Sequence, residues 1–334
     1  MPWGKERFWS MISVNQRAAI IIQEMVADSE ALGVQAHVLA NGAVVVDAGV
    51  KVPGSLAAGL RFSEACLGGL AQIDFTRLQY ADGSAGEGGS FWLPAISVSV
   101  SHPHIACMAS QYAGWAVKRE KFFAMGSGPA RALYAKEELF EKLAYKDQAD
   151  VAVLLLEGRK LPKEDVAEFI AAKSGVAVDH LYLVVAPTAS IVGSVQIAAR
   201  VVETGMHKLV ELGFDVCNVV AGYGVCPLPT VAADDLKAIG RTNDVVLYGG
   251  QSYYTVQTTD EELEEIVPKV PSSASHDYGT LFYDLFQRYE GDFYKIDPLL
   301  FSPAQVTFNN LNSGRTFTAG QVNPALLKKS LLEG

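Results

Sequence analysis

Thr188-Ala-Ser-Ile-Val-Gly-Ser-Val-Gln-Ile-Ala-Ala-Arg-Val-Val-Glu-Thr-Gly-Met-His-Lys-Leu-Val-Glu-Leu212 reads as one long apolar helix carrying a narrow polar stripe. At about 100° per residue, Gly193, Gln196, Arg200, Glu203 and His207 fall within roughly 80° of one another. Ile191, Val195, Ile197, Ala199, Val201 and Val202 take the rest of the circumference. A helix apolar nearly all round is buried, and charges on it are costly unless they are paired or face a wet cavity. Arg200 and Glu203 are therefore candidates for chemistry. The same two residues, three apart, also read as an ordinary helix-surface ion pair worth only tenths of a kcal/mol. Gly193 sits on the polar stripe at a cost of about 1 kcal/mol of helix propensity, which predicts that some group approaches the backbone there.

The runs on either side of this helix set the fold class. In order come an apolar strand at 151–156, a helix at 163–173, a strand at 181–185, the long helix, a strand at 218–221, a helix at 234–239 and a strand at 244–248. Such alternation predicts a layered α/β unit. The polar stretch Lys146-Asp-Gln-Ala-Asp150 just before it predicts a domain boundary. Upstream, a helix over 14–31 precedes two strand-like runs around Asn41-Gly42, a strong hairpin signal. An amphipathic helix over 56–67, strands at 71–78 and 95–100 and a glycine-rich loop at 82–90 follow. Near the end, 305–308 and 315–318 flank Asn309-Asn-Leu-Asn-Ser-Gly314 as another hairpin. The expectation is α/β: two layered α/β domains, 11–149 and 150–303, with a substrate cleft between them. A terminal hairpin and tail, 304–334, pack on either domain, and residues 1–10 read as an upstream extension.

Across 334 residues, 49% hydrophobic, the chain has material for a core in each domain. A net charge of −10, with 27 scattered Lys and Arg, argues against nucleic acid and for a small-molecule ligand. Cys66, Cys107, Cys217 and Cys226 are far apart and lack zinc spacing, so neither a disulfide frame nor a structural metal is indicated. No run reaches about 18 apolar residues and no signal-peptide core is visible, which predicts a cytoplasmic protein with no membrane partner.

Gly126-Ser127-Gly128-Pro129-Ala130-Arg131 places glycines at a loop-to-helix junction, where backbone N–H groups favour anions and Arg131 adds a charged donor. An ordinary tight turn explains the same residues, and the lysine and magnesium ligands of a phosphotransferase are missing. Thr188, Ser190 and Ser194 read as helix caps or as anion ligands. Ser101-His-Pro-His104 invites a metal reading, but lacks carboxylate or thiol partners at known spacing. No Gly-x-Ser-x-Gly elbow supports a serine hydrolase. Ser110, Gln111 and Tyr112, followed by Ala-Gly-Trp115, are fittings for a flat heteroaromatic ring.

Taken in order, Ser13-Val-Asn15, Asn41-Gly-Ala-Val-Val-Val-Asp47, Val52-Pro-Gly-Ser55, Ala106-Cys107, Ser110-Gln-Tyr-Ala-Gly-Trp115, Phe123-Ala-Met-Gly-Ser-Gly-Pro-Ala-Arg-Ala132, Val185-Ala-Pro-Thr-Ala-Ser-Ile-Val-Gly-Ser194, Arg200-Val-Val-Glu203, Thr242-Asn-Asp244 and Phe293-Tyr-Lys-Ile-Asp-Pro298 resemble the methenyltetrahydromethanopterin cyclohydrolase family. The resemblance covers nearly everything from Met11 onward. It implies reversible hydrolysis of the cyclic methenyl cation of tetrahydromethanopterin to the formyl form, in archaeal one-carbon metabolism or bacterial formaldehyde oxidation. It also implies a two-domain subunit assembled as a trimer, with no metal or redox cofactor. The family's arginine and glutamate, which place and activate the hydrolytic water, match Arg200 and Glu203. Tyr112 departs from the lysine of many methanogen members.

On this reading Glu203 is the base. Burial opposes its ionisation and Arg200 tips the balance towards the anion. Ser110, Gln111, Tyr112, Ser127, Gly128, Arg131, Thr188, Ser190, Ser194 and Gln196 are expected to bind substrate, with Arg131 on the coenzyme's anionic tail. The rival is a non-catalytic tetrahydropterin-binding protein that has lost turnover, against which the retention of both Arg200 and Glu203 argues.

Overall fold

A computed structural model of the chain describes residues 12–81, 89–292 and 295–333. Its strands, in chain order, are β1 (Gln35–Val38), β2 (Val44–Asp47), β3 (Ala71–Ala81), β4 (Ser90–Ser101), β5 (Trp115–Arg119), β6 (Phe122–Ser127), β7 (Ala152–Glu157), β8 (Leu181–Ala186), β9 (Val219–Pro227), β10 (Gln251–Val256), β11 (Gln305–Asn310) and β12 (Thr316–Gly320). They form two six-stranded sheets, ordered β1-β2-β8-β7-β6-β5 and β12-β11-β10-β9-β4-β3. The α-helices are α1 (Val14–Ala27), α2 (Ser29–Leu32), α3 (Leu56–Cys66), α4 (Ala130–Tyr134), α5 (Leu139–Leu143), α6 (Glu164–Ser174), α7 (Ile191–Ala198), α8 (Val201–Glu211), α9 (Asp235–Gly249), α10 (Asp260–Ile266), α11 (Phe282–Arg288) and α12 (Pro324–Leu332). The chain is thus α/β in two layered parts.

In the first sheet, β2, β8 and β7 run parallel, with β6 the wrong way round beside β7. Side chains on alternate positions of these strands feed two cores, as the twofold repeat of a strand requires. Val153, Leu155 and Val184 meet α1, α3 and Val192 of α7, whereas Leu154, Leu156 and Leu183 meet Val166 and Ile170 of α6. The second sheet is antiparallel except for β10 and β11, and packs one face against α8 and α9. Both sheets take strands from either side of residue 150. The terminal hairpin joins the second sheet through β11 and β10.

Three expectations are corrected. The helix over 14–31 is interrupted at Asp28, leaving α1 and the single turn α2. The run 244–248 is not a strand: it completes α9, because a short buried apolar run has no period that separates strand from helix. The stretch 188–212 is two helices, broken at Ala199 and Arg200. There the Ala199 carbonyl accepts Gln111 Nε2 at 3.2 Å, and Arg200 N bonds back only three residues, to Ile197 O. A side chain entering the helical ladder is a physical cause of such a break. The glycine-rich loop expected at 82–90 lies outside the described residues up to position 88, and Phe293-Tyr294 and residues 1–11 also lie outside them.

Candidate active site

The break in the helix carries the charges. Val192 of α7 packs into a core of the first sheet, while Val201, Val202 and Met206 of α8 belong to the core of the second, so Arg200 stands at the joint. α8 lies close on its sheet because Gly222 and Gly224 of β9 present no side chain: a Cβ there would come within 2.7 Å of Val202 and 2.6 Å of Val201. Tyr254 Oη and Ser252 Oγ of β10 donate to Val202 O and Val201 O at 2.9 Å each, which fixes the first turn of α8. Glu203 sits in that turn, where the helix dipole favours an anion.

Arg200 spends three of its five N–H groups on neutral acceptors: Nε donates to Gln196 Oε1 at 3.1 Å, Nη1 to Gln111 O at 2.8 Å and Nη2 to Ser127 Oγ at 2.9 Å. Its Nη1 stands 3.8 Å from Glu203 Oε2, an ion pair without a hydrogen bond. Among the described residues the Glu203 carboxylate has no hydrogen-bond partner, although it is only 4% exposed. Burial raises its pKa from the ordinary value, and Arg200, His207 and Arg131 offset this only in part. The expected balance is thereby corrected, since burial outweighs Arg200. A carboxylate with a raised pKa is a better proton acceptor than an ordinary one.

The other wall is a buried π-helix, His104–Gln111, a form often found at functional sites. Its last residue, Gln111, is anchored by Nε2 on Ala199 O while Oε1 has no partner among the described residues. Ser110 Oγ is turned away, donating to Cys66 O at 2.7 Å. Tyr112, just beyond, stacks on His207 of α8 with ring centres 4.9 Å apart and planes 15° apart. Both rings line a cleft of about 370 Å³ whose wall includes Glu137, Glu138 and Glu211 with Lys142.

The junction at 126–131 is a strand-to-helix turn from β6 into the short α4, and Gly128 holds φ +104°, which suits glycine. Its N–H is already taken, donating to Ser110 O at 2.7 Å. Asn15 at the start of α1 braces the same turn, donating Nδ2 to Pro129 O at 2.9 Å and to Asp147 at 2.7 Å. Arg131 is fully buried: Nε and Nη2 grip the Glu137 carboxylate, and Nη1 donates to Met108 O and Ser110 O at 3.1 and 3.0 Å. Its guanidinium also lies 5.1 Å from the Tyr112 ring centre. Arg131 thus braces the end of the π-helix, with its guanidinium engaged by Glu137 and by two π-helix carbonyls.

Ser190 is an N-cap, accepting from Gly193 N at 2.9 Å and donating to Pro187 O. Gly193 is explained by the chain itself, since a Cβ there would stand 2.1 Å from Pro187 O. Ser194 is buried on α7. Thr188 and Gln196 both reach a residue the sequence reading passed over, Glu157 at the end of β7: Thr188 Oγ1 and Gln196 Nε2 donate to its carboxylate at 2.5 and 2.9 Å. The available signal was a charged residue closing a buried apolar strand, at the carboxyl end where open parallel sheets bind ligands. The π-helix left no such signal. His104 is buried at the start of the π-helix, and among the described residues no group of three His, Cys, Asp or Glu is placed to hold a metal.

Arg200 and Glu203 thus stand side by side at the joint between the two helices. A family model described as Cyclohydrolase (MCH) matches residues 13–331. The chain belongs to the methenyltetrahydromethanopterin cyclohydrolase family. It is 47% identical over 322 residues to the methenyltetrahydromethanopterin cyclohydrolase of Methanococcoides burtonii, covering 96% of this chain and 98% of that one. The protein of the same name from Methanocaldococcus jannaschii is 47% identical over 324 residues, with the same coverage. That of Methanothermobacter thermautotrophicus is 45% identical over 323 residues, covering 96% and 99%. Family members thus match this chain almost from end to end.

Proposed function

We propose that this chain hydrolyses the 5,10-methenyl cation of a tetrahydromethanopterin-type coenzyme, reversibly, to the 5-formyl form, with Glu203 activating the water. The observation that carries the reading is a buried carboxylate with no hydrogen-bond partner among the described residues, 3.8 Å from a guanidinium held by three neutral acceptors. Arg200 keeps its direction without neutralising Glu203 in a tight pair, so the carboxylate retains an open lone pair for a water proton. The substrate carbon is already electrophilic. What it needs is a water held against one face and a group to take its proton as the C–O bond forms. Opening the ring then releases one nitrogen as an amine and leaves the formyl group on the other.

Charge supports the same reading. Glu203 beside Arg200, and Glu157 joined to it through Gln196, give the group one net negative charge when both carboxylates are ionised, which suits a cation better than an anion. The reading needs no metal or redox cofactor, and it includes the cytoplasmic trimer that the family resemblance implies. The test is the absorbance decay of methenyltetrahydromethanopterin with the purified protein. Loss of the chromophore in proportion to protein is expected, and a decay equal to the buffer rate overturns the reading.

A further inference from the structure

We infer that Glu157 is a positioning residue for the reaction, setting the direction of the Gln196 amide and through it the guanidinium of Arg200. Glu157 ends β7, between Met125 of β6 and Ala186 of β8, so its main chain is held on both sides by the first sheet. Its carboxylate accepts the Thr188 hydroxyl on one oxygen and Gln196 Nε2 on the other. An amide has one accepting and one donating end, and nothing in its shape says which way round it sits. An ionised carboxylate only accepts. Glu157 therefore takes the donating end of Gln196, and the accepting end, Oε1, is left facing Arg200 Nε at 3.1 Å. The opposite setting would bring two N–H donors together and release the guanidinium from α7.

The consequence reaches Glu203, because Arg200 is the principal charge that opposes the effect of burial on it. The inference rests on the cyclohydrolase reading for its kinetic consequences but not for its geometry. The charges that offset burial at Glu203 are those of Arg200, His207 and Arg131, and Glu157 connects to Arg200 through Gln196. A change at Glu157 is thus felt by Glu203 through the position of Arg200.

Three full-length variants test it: Glu157→Met, Gln196→Glu, and the exchange Glu157→Gln with Gln196→Glu. Met keeps the volume and removes the acceptor; kcat is expected to fall about 10- to 100-fold with KM within about threefold, since a reacting group is displaced without loss of a substrate contact. The acid limb of kcat against pH is expected to move to higher pH, because a loosened Arg200 no longer favours the Glu203 anion. A merely structural role would leave that limb in place. Gln196→Glu sets two carboxylates against each other and is expected to lose at least as much. The exchange restores the order, because the carboxylate now carried on α7 accepts both from Arg200 and from the amide now carried at the end of β7. It is expected to recover to within about tenfold of the parent, even if Glu157→Met alone folds poorly.

A readout independent of turnover is the Arg200 Nε–H resonance in labelled protein, assigned by its loss in Arg200→Lys. It is expected to be protected from exchange in the parent, exposed in Glu157→Met, and protected again in the exchange variant. Any of four results overturns the inference: unchanged kcat and pH profile in Glu157→Met; a KM rise with kcat intact, which would put Glu157 on the substrate; an exchange variant no better than Gln196→Glu; or an Arg200 resonance indifferent to all three. An inactive parent whose Arg200 resonance follows the expected pattern would sink the cyclohydrolase reading and leave the positioning role standing.

Discussion

Arg131 and Arg200 both donate to the last carbonyls of the π-helix, and they do opposite things. Arg131 is fully enclosed and closes on Glu137 through two nitrogens, so its charge is neutralised where it stands. Arg200 is held by an amide, a hydroxyl and a carbonyl, and its carboxylate partner stays 3.8 Å away. A closed ion pair is a brace. A guanidinium fixed by neutral groups, with a carboxylate in view but out of hydrogen-bond reach, leaves that carboxylate able to take a proton. The difference lies in how donors are distributed, since the two side chains have identical chemistry.

The strongest way to break this contrast is Glu203→Gln, which conserves volume and deletes the base. Turnover is expected to drop by about 10²–10⁴-fold with the unfolding midpoint unchanged. Near-parental turnover would return Glu203 to the class of structural ion pairs. In the parent, activity should fall as pH is lowered through the Glu203 pKa, at a pH above the ordinary carboxylate range because burial raises it. The residual activity of Glu203→Gln should lack that limb.

Arg131→Ala tests the other arm. It leaves Glu137 without its cation and two π-helix carbonyls without a donor, so a loss of roughly 3–5 kcal/mol in stability is expected by denaturant titration. KM of the folded fraction should stay the same for coenzyme forms with and without a terminal phosphate. A KM rise confined to the phosphorylated form, with stability intact, would make Arg131 a tail ligand.

Asp244 of α9 sharpens the comparison as a buried carboxylate held by neutral donors: it accepts from Phe282 N at 2.8 Å and Ser330 Oγ at 2.6 Å. Burial raises its pKa from 3.8 to about 6. Because the folded value lies above the unfolded one, the stability from the protonated form is fully present below 3.8 and lost as pH rises through about 6. The rise corresponds to about 3 kcal/mol. Asp244→Asn is expected to flatten that decline while keeping full activity, and a pH–stability curve unchanged by the substitution would refute the assignment. The smallest effect expected is none at all: dialysis against EDTA should leave turnover intact, and zinc-restored activity would bring His102 and His104 back into question.

Several features were legible because local chemistry specifies them. Asn41-Gly42 turned β1 into β2, with Gly42 at φ +91°. The stripe on 188–212 picked out Arg200, Glu203 and Gln196, since burial of an apolar helix leaves few places for charge. Gly193 announced a close approach, which proved to be that of Pro187 O. The π-helix was not visible, and Glu157 showed only as a charge closing a buried apolar strand, because its role comes from residues 31 and 39 positions away.

The sequence by itself determined which groups had to be buried together: apolar runs of strand and helix length, and an Arg-x-x-Glu pair with no polar surface to spread onto. Only the tertiary structure decided how those groups are wired. Arg131 and Arg200 are equally basic in the sequence. The fold gave one a carboxylate at contact, Glu137, and the other three neutral acceptors from α7, β6 and the π-helix, because hydrogen-bond direction and ion-pair distance depend on where the opposing groups fall. That placement, set by glycines on β9 and a side chain inserted at Ala199, separates a brace from a candidate catalytic pair.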